Sequence, residues 1–129
     1  MFFNIKQYSD YPILKIPLTQ KIMEKYNITE DMMENAVVTF SMFNEDEGEY
    51  EIANNKGVLI YRQKIEETPY EEKYVLGYKF SKIETYKIGR YTGEFKLNFL
   101  EPYCGTITLP NNDYINIIIW ESKTKTDIF

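Results

Sequence analysis

TYKIGRYTGEFKLNF, residues 85–99, decides how the rest of the chain is read. Over residues 90–99 the side chains alternate. Tyr91, Gly93, Phe95, Leu97 and Phe99 fall on one side, and Arg90, Thr92, Glu94, Lys96 and Asn98 on the other. A period of two with apolar residues on one side describes a strand buried on one face and wet on the other. Lys87, Ile88 and Gly89 in front of it read as a turn. Gly89, Tyr91 and Gly93 are therefore expected to form a structural corner: Gly89 turns the chain, Tyr91 pins the turn, and Phe95, Leu97 and Phe99 fill a core.

The pattern repeats outward from this stretch. Val38, Phe40 and Met42 share a face within residues 36–43, as do Tyr74, Leu76, Tyr78 and Phe80, and as do Leu14, Ile16 and Leu18. Pro12 and Pro17 remove ladder donors, so the strand around Leu14 is expected at an edge or interrupted. Shorter strands are expected at residues 50–52, 58–61 and 106–109. The last strand, residues 114–120, is apolar on nearly both faces and is expected to be covered on both. Asn54, Asn55, Lys56 and Gly57 read as a turn, and residues 63–72 as a charged loop. One short helix is expected near residues 29–34, with Thr29 as N-cap and Glu30 and Asp31 in its first turn. Residues 22–26 fit either a strand extension or a helical turn. Seven or eight strands, spaced by turn signals, predict an all-β antiparallel sandwich or barrel. The expected organisation is an N-terminal arm at 1–10, one domain at 11–120 and a C-terminal tail at 121–129.

Composition narrows the chemistry. At 129 residues the chain suits a single domain with a substantial core. Its twelve tyrosines and eight phenylalanines fit half-buried pleated surfaces. A net charge of −5 speaks against nucleic acid and anionic membranes as partners. No apolar run approaches the roughly 20 residues of a membrane helix, and the start lacks the pattern of a signal peptide. A soluble protein made in a cytoplasm is expected.

The chain has no histidine and a single cysteine, Cys104, so neither an intrachain disulfide nor a nucleophile–histidine–acid triad is available. Cys104 reads as a buried or bystander thiol. No catalytic, cofactor-binding or metal-binding residue is expected. Glu45, Asp46, Glu47 and Glu49 crowd around Gly48, but they lack the ligand spacing of an EF-hand and read as a solvated hairpin tip. Glu66, Glu67, Glu71 and Glu72 read as solvated in the same way. Tyr8, Tyr11, Tyr50, Tyr61, Tyr70, Tyr86 and Tyr103 lie in loops or at strand ends. They suit either a stacking surface for saccharide or nucleic acid, or, as preferred here, a rim with wet hydroxyls. Large apolar side chains at the two ends, Phe2, Phe3, Ile5, Ile128 and Phe129, are the candidate protein-interface residues. Such ends are expected to dock onto the domain itself or onto a neighbour, for example by strand addition to an open sheet edge, or else to be frayed ends with no role.

Several segments, taken in order, carry a resemblance. They are Asn35 to Met42, then Ile52, Ala53, Asn54, Asn55, Lys56 and Gly57, then Val58, Leu59, Ile60 and Tyr61. Tyr78, Lys79 and Phe80 follow, then Thr85, Gly89, Tyr91, Gly93, Glu94 and Phe95, and finally Cys104, Gly105, Ile107, Leu109 and Pro110. The set resembles the immunoglobulin-like N-terminal domain of phage baseplate upper and fibre-attachment proteins, and more closely small virion proteins of crAss-like phages. The resemblance covers roughly residues 11–120. It implies an antiparallel immunoglobulin-like β-sandwich and a virion structural protein without enzymatic activity, assembled with other virion proteins and with copies of itself. An adaptor that attaches fibres or tail components is the implied role. A capsid decoration or head-fibre protein, and a stand-alone module binding carbohydrate or a host protein, are the alternatives. Gly93 stands where antibody-type domains carry a cysteine, so no disulfide framework is implied. The baseplate proteins also continue into a receptor-binding part, which the sequence to Phe129 does not include; the attachment module alone is implied.

Overall fold

The computed structural model describes residues 1–61 and 72–123. The charged segment before Glu72 and the interface candidates Ile128 and Phe129 lie outside the described residues. The architecture is all-β, with two sheets enclosing one core. Nine strands are present among the described residues: β1 (Phe2–Lys6), β2 (Leu14–Thr19), β3 (Val37–Asn44), β4 (Glu49–Lys56), β5 (Val58–Tyr61), β6 (Glu72–Tyr78), β7 (Gly89–Asn98), β8 (Thr106–Leu109) and β9 (Ile115–Trp120). The large sheet has the order β1-β9-β7-β3-β4, with β8 beside β7, and the small sheet the order β2-β6-β5.

The count exceeds the expected seven or eight because the supposed N-terminal arm contains a strand. Phe2 to Lys6 pair in parallel with Asn116 to Trp120, so the large sheet is mixed rather than purely antiparallel. Alternation within so short a segment, FFNIK, leaves little periodic signal, and its partner lies at the other end of the sequence. Strands β8 and β9 share one edge of β7: Asn98 pairs with Thr106 and Phe95 with Leu109, then Gly93 with Ile115 and Gly89 with Ile119. They are one strand column interrupted by the turn at Pro110, Asn111, Asn112 and Asp113.

Two short helices join β2 to β3, rather than one: α1 (Gln20–Lys25) and α2 (Glu30–Met33). The side chain of Thr19 accepts from the Ile22 N–H at 3.1 Å and that of Thr29 from the Met32 N–H at 3.3 Å. Each cap satisfies a backbone donor that the first helical turn leaves free. Met23, Ile28 and Met33 from this crossover are buried in the core.

The expected alternation is present in the burial pattern of β2 and β7 and, apart from the buried Ser41, of β3. β6 differs, with Tyr74 to Tyr78 buried without alternation, and β2, with Pro17, is an edge strand. Phe40 joins the two sheets. Its ring stacks on Tyr78 at 4.5 Å, meets Phe95 tilted at 4.9 Å and meets Phe80 edge to face at 5.8 Å. β9 differs from expectation. Ile115, Ile117 and Ile119 are buried, whereas Ile118 is half-buried and Trp120 exposed, so only one face is closed.

The tetrad Asn54, Asn55, Lys56 and Gly57 is not a hairpin turn. Its first three residues continue β4, and at Gly57 the chain leaves the large sheet for the small one. The Gly57 N–H donates to the Val38 carbonyl at 2.8 Å. A Cβ there would stand 2.9 Å from the Gly77 carbonyl oxygen and 2.9 Å from Val38 Cγ1, so the crossing requires glycine. Asn54 has a left-handed φ of 51°, and its N–H donates to the Ser41 hydroxyl at 2.9 Å, where the β3–β4 register shifts. Asparagine tolerates that conformation, and the serine supplies the partner that the irregular ladder lacks.

Candidate functional site

The outer face of the large sheet holds the features most suited to binding. Register places Tyr50 on β4 beside Phe43 on β3, Phe43 beside Thr92 on β7, Thr92 beside Asn116 on β9, and Asn116 beside Phe2 on β1. One row across five strands thus has aromatic side chains at both ends and polar ones in the middle. Phe43 and Tyr50 meet edge to face, with ring centroids 5.1 Å apart.

A depression of about 330 Å³ lies on this row, lined by Ser41, Phe43, Glu45, Tyr50, Thr92, Gly93, Glu94 and Tyr114. A second, of about 400 Å³, shares Glu45 and Thr92 with it and runs toward Phe2, Asn116 and Ile118. A third, of about 270 Å³, shares Glu94 and Tyr114 and runs toward Asn111 and Asp113. Together they form an elongated groove across the sheet. The Thr92 hydroxyl donates to Glu45 Oε1 at 2.8 Å and holds that carboxylate at the groove wall. Tyr50 is 62% exposed and Tyr114 57% exposed.

The acidic hairpin tip borders the groove. Asn44 is buried, and its Oδ1 accepts from the N–H groups of Asp46 and Glu47 at 3.0 and 3.1 Å, which shapes the turn. Lys87 forms an ion pair with Glu47. That hydrogen-bonded pair holds the Glu47 carboxyl below its ordinary range and the Lys87 ammonium above its own. Among the described residues, no group of three or more His, Cys, Asp or Glu side chains has the arrangement of a metal site.

The expected corner residues sit together at the start of β7. The Tyr91 hydroxyl donates to the Lys87 carbonyl at 2.7 Å, closing the turn that precedes the strand. Burial, followed by the charge of Glu51, pushes the Tyr91 phenol up to about 12. Gly93 faces inward under the groove. A Cβ there would stand 2.7 Å from Ile117 Cδ1 and 3.1 Å from the Phe40 ring, so Phe40 occupies the space that a side chain on β7 would need.

The expected interface residues are spread over different environments. Phe2 is 71% exposed on the outer face. Phe3 turns inward and stacks on Phe80 at 5.8 Å, and Ile5 is 3% exposed in the core. The strand is fastened at several points: the Asn116 N–H donates to the Met1 carbonyl at 2.8 Å, and Trp120 Nε1 donates to Asn4 Oδ1 at 2.9 Å. Cys104 is exposed with a φ of 48°, in a loop rather than in the core. Of the tyrosines expected at the rim, Tyr11, Tyr50, Tyr86 and Tyr103 are exposed and Tyr8 is half-buried. Tyr114, just before β9, and Trp120, its last residue, were hidden in the sequence because they bound an apolar run; a shift from buried isoleucines to wet aromatics at its two ends was the available signal.

Comparison with protein-family models, curated proteins and solved structures finds no match to this chain.

Proposed function

We propose that this chain is a non-catalytic attachment subunit of a phage particle, built as an immunoglobulin-like sandwich. The strand pairing carries the reading. With β9-β7-β3-β4 antiparallel and β2-β6-β5 opposite, the order corresponds to strands G, F, C and C′ facing B, E and D, and the first strand, β1, adds in parallel beside G rather than beside B. The Tyr91–Lys87 bond at the start of the F-like strand supports it, since such sandwiches pin that corner with a tyrosine. The segments that resemble phage attachment domains also fall at the joints of the fold: the crossing at Gly57, the corner at Gly89 to Gly93, and the interrupted column of β8 and β9.

Attachment in this reading uses the β1 side of the large sheet. Phe2 and Trp120, 51% exposed, stand there on neighbouring strands, and β1 is the edge strand among the described residues, where a neighbouring subunit could pair. Removal of residues 1–10 is a poor test, because it strips Phe3 and Ile5 from the core. The discriminating variant is Phe2→Ser with Trp120→Ser; both side chains are exposed, and the Trp120–Asn4 bond that it removes is one of several that fasten β1. Purified particles are expected to contain the chain in fixed ratio to the other virion proteins by quantitative mass spectrometry. The double variant is expected to fold but to be depleted from particles. Absence of the wild-type chain from purified particles would sink the proposal.

A further inference from the structure

We propose that the central groove is a binding site for a neutral saccharide, recognised between the Phe43–Tyr50 pair and Tyr114. The groove's volume of about 330 Å³ stands at the small end of ligand sites, and its continuation on both sides gives length for a chain of sugar rings. Sugars present an apolar C–H face and an equatorial rim of hydroxyls, and this groove matches both. Tyr50 and Tyr114 offer exposed ring faces at opposite walls, and their burial against C–H groups removes apolar area from water.

The polar partners are equally suited. Among the described residues, neither the Glu94 carboxylate nor the hydroxyls of Tyr50 and Tyr114 make a hydrogen bond, although all three line the groove. Glu45 is already aligned by Thr92, and its other oxygen remains for a ligand. A carboxylate accepts strong hydrogen bonds from adjacent sugar hydroxyls. The central depression is lined by two carboxylates and no cation, and its continuations add Asp46 and Asp113 against one cation, Arg90. The excess of negative charge disfavours uronic acids, sialic acids and phosphorylated ligands. Ser41, Phe43, Tyr50, Thr92 and Glu94 stand on the paired strands β3, β4 and β7, so most of the lining needs little ordering on binding, with Glu45 in the hairpin tip and Tyr114 just before β9. The central depression itself is lined by neither Phe2 nor Trp120, although one continuation runs toward Phe2, and the inference does not rest on the virion role.

The test uses the full chain, titrated calorimetrically with soluble oligosaccharides of glucose, galactose, mannose and N-acetylglucosamine, and with sialylated and glucuronate-containing counterparts. At least one neutral series is expected to bind saturably in the micromolar-to-millimolar range, with the anionic counterparts weaker. Tyr50→Ala, Tyr114→Ala and Glu94→Gln are each expected to weaken that binding about tenfold or more with an unchanged melting temperature. No saturable response to any neutral series overturns the proposal, as does binding that all three variants leave unaltered. Normal particle incorporation of Glu94→Gln, alongside lost saccharide binding, would separate this site from the attachment surface.

Discussion

The inner and outer faces of the large sheet use the same strands for opposite ends. Along β7, Tyr91, Phe95 and Leu97 turn inward and are buried, while Thr92 and Glu94 turn outward into the groove. Inward residues meet partners from both sheets, and Phe40 alone contacts three other rings. Among the described residues, the outward ones meet their cross-strand neighbours, the Glu45 carboxylate of the hairpin tip and solvent. Stability therefore belongs to one face, and recognition to the other. Substitutions that respect this division are expected to affect folding or binding, and rarely both.

Phe95→Ala is expected to give the largest effect. Its side chain is fully buried against Phe40, and truncation of such a ring costs about 3–5 kcal/mol. Urea unfolding of the variant checks the figure, and a loss near zero would mean that the inner face is not the stabilising one. Gly57→Ala is expected to cost about 1–3 kcal/mol, because the added methyl group meets a backbone oxygen that cannot rotate away. The same denaturation curve measures it.

Alkaline pH probes the core through two buried phenols, Tyr91 on β7 of the large sheet and Tyr78 on β6 of the facing sheet. Burial pushes Tyr78 up to about 12, as it does Tyr91, and the Glu84 carboxylate that accepts from the Tyr78 hydroxyl at 2.7 Å adds to the rise. Both folded-state values exceed the unfolded value near 10. The folded state thus holds these protons more tightly, and stability present below about pH 10 is lost as pH climbs toward about 12. Melting temperature should fall across that window, and the fall should be shallower in Tyr78→Phe and in Tyr91→Phe. An unchanged slope in both would show that other groups govern alkaline unfolding.

The inner face was largely legible in the sequence because each strand's alternation declares its buried side without reference to its neighbours. Phe40, Met42, Phe95 and Leu97 could be assigned that way. The outer groove could not, since it exists only through register: Tyr50, Phe43, Thr92, Asn116 and Phe2 become one row when five strands align. β1 was missed for the same reason, its partner being at the opposite end of the chain. Gly57 was misjudged because turn composition does not distinguish a hairpin from a strand that changes sheets.

The smallest expected effect is the sharpest test of the division between faces. Glu94→Gln keeps the shape of a half-buried outward side chain that forms no hydrogen bond among the described residues. Its effect on unfolding is expected within about 0.5 kcal/mol. Removing one charge from an acidic surface relieves repulsion, so the sign should favour slight stabilisation at neutral pH and vanish at high salt. If Glu94→Gln instead destabilised the fold as much as Gly57→Ala, the outer face would be part of the structural framework. Its carboxylates could then no longer be read as groups held ready for a ligand.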